Sequence, residues 1–255
     1  MSHTKAILCI GSSHVSALRE GHTKRAHVGQ AGGFDTWKQI GTNSHIVANQ
    51  YVLGEAIDAE FAGIMSEVEV SAIFLCCGGG EHTEIALFNI WPFDVYMPDD
   101  DPQQAISGNC EVVPYDVMLA TCASYISTSL PFVQRIKSLS SLPMHHILPP
   151  PPTAGEDYVR ADVGPDFCEW ADRSGISPAP LRQKVWRLCC IAARQIYSNM
   201  GIPVIEPPAA ALDERGFLAP QYQRLDLVHA NGNYGALVVD SMVSIAAHHA
   251  SGTSE

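Results

Sequence analysis

The sequence predicts a three-layer α/β/α sandwich built on a parallel, flavodoxin-like sheet. Two observations carry that prediction. Short apolar runs alternate along the chain with segments of helical periodicity, which implies strands joined by crossover helices. At least one of those runs, residues 69–76, leads almost at once into glycines at Cys77-Gly-Gly-Gly80, the form of a functional loop at the carboxyl edge of a parallel sheet.

The elements follow in order. Residues 6–10 read as a first strand, residues 14–24 as a helix, and Ala26–Val28 as a short second strand. Across residues 50–66 the apolar positions Leu53, Ile57, Phe61 and Ile64 are spaced four, four and three apart, so one helical face is buried. Residues 69–76 are a buried strand. Residues 115–138 read as helical, with Pro131 as a break or kink. Met144–Leu148 is a short strand stopped by Pro149-Pro-Pro-Pro152, whose prolines hold an extended segment. Leu181, Val185, Leu188, Ala192 and Ile196 mark one face of a helix over residues 180–199. Gly201 stops it, Ile202–Ile205 is the last strand, and residues 233–249 are a closing helix. Residues 88–112 and 149–176 are polar, proline-rich and weakly periodic. They read as excursions of one domain spanning residues 1–255, building a lid or substrate wall.

Composition narrows the partners. The chain has 255 residues, 46% of them hydrophobic, and a net charge of -12. A globular core is expected, and neither nucleic acid nor an anionic membrane surface suits so acidic a chain. No apolar run reaches the roughly 20 residues of a membrane helix. Met1-Ser-His-Thr-Lys5 leads directly into the first strand, so a cytoplasmic location is expected. The eight cysteines include no CxxC spacing, and most fall in apolar strands or a helix, as free buried thiols do. His145-His146 lie on a strand, where neighbouring side chains face opposite ways, so they do not share one ion. Asp99-Asp100-Asp101 lacks the spaced ligands of a calcium cage. No metal and no cofactor are expected, and nothing in the chain specifies an oligomeric state.

The chemistry-bearing residues lie at the two ends. Asp226-Leu-Val-His229 presents a carboxylate three residues before an imidazole. A carboxylate so placed fixes the imidazole tautomer and supports its charge when it acts as a base. Near the N-terminus, Gly11-Ser-Ser-His14 follows an apolar run and precedes a helical pattern. Ser13 there is either a helix cap or a nucleophile lifted to the top of the sheet, with Ser12 its competitor.

Gly11-Ser12-Ser13, the glycine turn 78–80, and Asp226-x-x-His229 with Ala230-Asn231 and Tyr234-Gly235 together resemble the SGNH (GDSL-type) hydrolase family, in order and rough spacing, across nearly the whole chain. The resemblance implies a nucleophile at Ser13, a base at His229 oriented by Asp226, and an oxyanion hole from Ser13, Gly32 or Gly33, and Gly79 or Gly80. It further implies a small acyl ester or thioester substrate, with His14, Glu81 and His82 either beside it or plain polar residues at helix starts; Trp91 reads as either satellite core under a long loop or the apolar wall of the substrate pocket. Two departures stand out. Ser12 replaces the family's Asp. Gly80 stands where relatives carry an Asn whose amide donates to the oxyanion, and losing one such donor costs roughly 10²–10³ in rate. The expectation is therefore a serine hydrolase or acyltransferase. The alternative is a non-catalytic binding protein that keeps the fold.

Overall fold

The computed structural model describes residues 5–11, 13–27, 36–40, 46–47, 50–51, 55–98, 110–155, 165–224 and 229–250. Strand β1 (Lys5–Gly11) runs into helix α1 (Val15–His27). β2 (Thr36–Ile40), β3 (Ile46–Val47) and β4 (Gln50–Tyr51) precede α2 (Glu55–Glu67), β5 (Glu69–Cys76) and the short α3 (Glu81–Ala86). β6 (Phe93–Val95), β7 (Glu111–Val113), α4 (Tyr115–Ser127), α5 (Leu130–Leu139) and β8 (Met144–Ile147) follow. The chain then forms α6 (Pro165–Ser174), α7 (Ala179–Asn199), β9 (Val204–Ile205) and α8 (Gly232–Ala250).

The main sheet has the order β2-β1-β5-β8-β9 and is parallel throughout. Numbered within that sheet the order is 2-1-3-4-5, the flavodoxin-like winding. Both faces are covered, so the strands are apolar on both sides rather than alternating in polarity. Leu8, Ile10, Ile73 and Leu75 face a core shared with Phe61 of α2, Met118 of α4, Ile136 of α5 and Leu188 of α7. Ile7, Cys9, Ala72 and Phe74 point the other way, against Val15 and Leu18 of α1 and Val238, Val239 and Met242 of α8. The period of two along each strand thus separates two cores, and the three layers follow. Among the described residues no helix is long and apolar enough to cross a membrane.

Several expectations shift. Ala26 and His27 belong to the end of α1, and the second strand is Thr36–Ile40. The three-residue run Ala26–Val28, of mixed polarity, gave no reason to extend that helix, and the Trp-Lys-Gln core of β2 hid its strand character. The helix expected from residue 50 begins at Glu55, because Gln50–Tyr51 pairs with β3. The break expected at Pro131 falls two residues earlier, at Thr128–Ser129. The proline sits in the first turn of α5, where no N–H is needed. The excursion 88–112 holds the parallel pair β6–β7, and 149–176 holds α6.

Register sets the geometry of the upper edge. Gly11 of β1 lies opposite Cys76 of β5. The turns that leave these two strands therefore open side by side.

Candidate active site

α1 begins two residues after Ser13. The Ser13 carbonyl accepts the Ser16 N–H at 3.0 Å and the Ser16 hydroxyl at 2.7 Å, which closes the first turn. The Ser13 side chain is exposed, and its Oγ lies 2.7 Å from His229 Nε2. With Nε2 unprotonated the hydroxyl donates, which is the geometry of a nucleophile and its base. The two residues are 216 positions apart in sequence, so the fold alone makes this contact.

What brings them together is the crossing of α1 and α8. A Cβ on Gly235 would stand 1.8 Å from the Ala17 carbonyl oxygen, and one on Gly21 would stand 2.2 Å from the Ala236 nitrogen. Only glycine on both sides lets the two helices approach this closely. The loop before α8 is fixed from below. Asn231 Oδ1 accepts the N–H groups of Asn233 (2.8 Å) and Tyr234 (3.3 Å), capping the helix. Its Nδ2 donates to the carbonyls of Gln221 and Gln223, each at 2.9 Å. An antiparallel bridge between Gln223 and Ala230 closes the loop, with the Arg224 N–H donating to the His229 carbonyl at 3.2 Å. His229 thus rides on a stapled loop, and the asparagine of the closing motif is the staple.

His14, expected beside the substrate, is buried, and its ring packs tilted against His229 with centroids 4.9 Å apart. It is a wall behind the base. Beside it a cavity opens between the carboxyl ends of β1, β5 and β8. Cys76, Gly79, Ile147, Pro149, Ala230 and Tyr234 are among its lining. Trp91, also expected at the substrate, stands 82% exposed on the segment before β6 and is not part of this cavity.

The glycine turn after β5 is built differently. Gly78 and Gly79 hold φ of 79° and 104°, where side chains are strained. The Gly79 N–H donates to Glu81 Oε2 at 2.6 Å, so it is committed to Glu81 rather than turned to an oxyanion. Glu81, expected at the substrate, folds back on its own turn. Loss of water raises its carboxyl above the usual range, opposed by the hydrogen bonds from its own N–H and that of Gly79. Gly80 has φ -92° and ψ -5°, ordinary helical backbone at the N-cap of α3, and a Cβ there would meet nothing within 4 Å. Side chains are therefore opposed at Gly78 and Gly79 but not at Gly80.

His82 is 5% exposed, too enclosed to meet a substrate. Burial, with the Arg182 charge nearby, lowers its pKa to about 4, against a weaker pull upward from a hydrogen bond with the Gly79 backbone. Sequence reasoning also missed the two cations under this edge. Arg182 donates to the carbonyls of Ser177 (3.1 Å) and Thr153 (2.8 Å), pinning the chain beyond the proline run. Lys184 and Asp94 form a buried pair at 2.9 Å that anchors the β6 excursion to α7. Charged residues inside an otherwise amphipathic helix were the available signal. Among the described residues no group of three or more His, Cys, Asp or Glu is placed to hold a metal ion. Asp226, Ser12, Gly32 and Gly33 lie outside the described residues.

No family model matches the chain, and no curated protein matches it in sequence at a significant level. Solved structures do resemble it. A carbohydrate acetylesterase family member from Sinorhizobium meliloti is 12% identical at a TM-score of 0.47, over 96% of this chain and 98% of that one. A GDSL-like lipase from Bacteroides thetaiotaomicron is 15% identical at 0.41, over 95% and 89%. The periplasmic domain of a lipopolysaccharide acetyltransferase from Salmonella ser. Paratyphi A is 13% identical at 0.45, over 94% and 82%.

Proposed function

We propose that this chain is a serine-dependent hydrolase or acyltransferase of SGNH type, acting on a small acyl ester or thioester. The observation that carries the reading is the 2.7 Å contact between Ser13 Oγ and His229 Nε2. Ser13 attacks the acyl carbonyl while His229 Nε2 takes its proton. The imidazolium then delivers that proton to the departing alcohol or thiol, and an acyl-serine remains. Water or a second acceptor, activated by the same imidazole, releases the acyl group. Asp226 orients His229 in this scheme. The oxyanion is met by backbone N–H groups of Ser13 and Gly80, with Gly32 or Gly33 supplying another. The small cavity beside His14 has a chiefly apolar lining, which favours a short acyl group. No metal or cofactor is needed for these steps.

A non-catalytic, binding-only role is the second reading, and the absence of a side-chain donor at Gly80 favours it. Hydrolysis of a panel of aryl acyl esters and acyl thioesters by the wild type and Ser13→Ala separates the two. Turnover lost in the variant supports the enzyme. No turnover by a folded wild type supports the binding protein.

A further inference from the structure

Sequence periodicity puts His145 and His146 on opposite faces of β8, and the structure does so. His146 stacks on Tyr197 with ring centroids 3.8 Å apart, inside one core. His145 packs on Phe74 on the other side, with centroids 5.7 Å apart. There it meets His249, from the last turn of α8. The two Nε2 atoms are 3.1 Å apart and the rings are tilted by 43°. Neither residue belongs to the Ser13 edge or takes part in the proposed reaction.

We propose that His145 and His249 form a two-histidine site for a divalent transition ion such as Zn²⁺, which ties the end of α8 to the start of β8. The separation fits. With Zn–N bonds of about 2.1 Å, nitrogens 3.1 Å apart subtend about 95° at the ion, between the octahedral and tetrahedral angles. Imidazole nitrogen suits zinc, copper and nickel alike. Both Nε2 lone pairs must be free to bind. In the metal-free pair one ring donates its Nε2–H to the other, and on binding that proton moves to the ring's own Nδ1, so two neutral rings release no net proton. Water fills the remaining coordination positions, because the described residues offer two ligands there. The net charge of -12 draws cations to the surface in general, but the converging nitrogens give this point its selectivity. Because the ion bridges elements 104 residues apart, binding stabilises the folded state by linkage.

The test is calorimetric titration of the EDTA-treated full-length protein with ZnCl₂, paired with melting curves with and without the metal. The expected result is one Zn²⁺ per chain and a higher Tm with metal. Binding should weaken roughly tenfold or more in both His145→Ala and His249→Ala, and persist in His248→Ala. His249 is exposed on a final helical turn, so its variant stays folded even if removal of His145 from Phe74 does not. No zinc bound by the wild type, or binding unchanged in His249→Ala, overturns the site and leaves a plain histidine–histidine hydrogen bond.

Discussion

The turns after β1 and β5 leave the sheet at the same level, Gly11 opposite Cys76, yet they are built on opposite principles. The β1 turn contributes a side chain. Ser13 is exposed, and its hydroxyl is aimed by a helix crossing far along the chain. The β5 turn contributes backbone. Gly78 and Gly79 hold positive φ, Glu81 clamps the Gly79 N–H, and Gly80 brings no donor side chain. A side-chain part is disabled by deletion. A backbone part is disabled by adding atoms where they collide and is tuned by adding them where space is open.

The largest effect expected is deletion at the β1 turn. Ser13→Ala should cut kcat/KM on an aryl ester by roughly 10⁴ or more, as in hydrolases whose nucleophile is removed. Its melting temperature should stay within a few degrees, since the Ser13 carbonyl and not its hydroxyl closes the first turn of α1. Substantial residual turnover would remove the distinction between the turns.

Addition at the β5 turn comes next. Gly80→Asn meets open space at helical φ, so it should fold. If its amide reaches the oxyanion, kcat should rise by up to roughly 10². Gly79→Ala should do the reverse. Its Cβ would stand 2.9 Å from the His14 ring at φ 104°, costing about 1–3 kcal/mol. Kinetics and denaturant melts of this pair sharpen the comparison, and equal behaviour of the two variants would break it.

The helix that follows the β5 turn also carries an acid weakness that the β1 side lacks in α1's first turn. His82 has a folded-state pKa near 4, below its ordinary 6.5, so the unfolded chain binds more protons between those values. Stability is therefore intact above about pH 6.5 and falls as pH drops toward about 4, by about 3 kcal/mol from this residue. His146, lowered to about 3 by burial, adds to the same slope. Urea melts across that range should show the decline, and His82→Gln should flatten it. An unchanged slope in the variant would mean that His82 is not the source.

The smallest effect is at the staple. Asn231→Ala should cost about 1 kcal/mol as a lost cap. It should lower kcat more than stability alone explains, because the His229 loop loses two further hydrogen bonds. Comparing its rate with that of an equally destabilised surface variant checks this.

The same contrast governs what the sequence made legible. β5 could be read residue for residue, because its apolar run, buried throughout from Ala72 to Cys76, leads directly into the glycine turn. Ser13 and His229 could be named because their chemistry resides in side-chain type. β2 was missed because its Trp-Lys-Gln core carries little apolar signal. Glu81 and His82 were assigned to the substrate because nothing local reveals that one clamps its own turn and the other is buried. Gly80 was grouped with its neighbours because composition does not distinguish a helical glycine from a left-handed one. The pairing of His145 with His249 depends wholly on where α8 ends.

The central claim is that Ser13 is a nucleophile activated by His229. Labelling the folded protein with a fluorophosphonate and mapping the adduct by peptide mass spectrometry tests it most directly. The account predicts phosphonylation at Ser13, abolished by His229→Ala. An adduct on Ser12 or another serine, or none on a folded and stable chain, would contradict it.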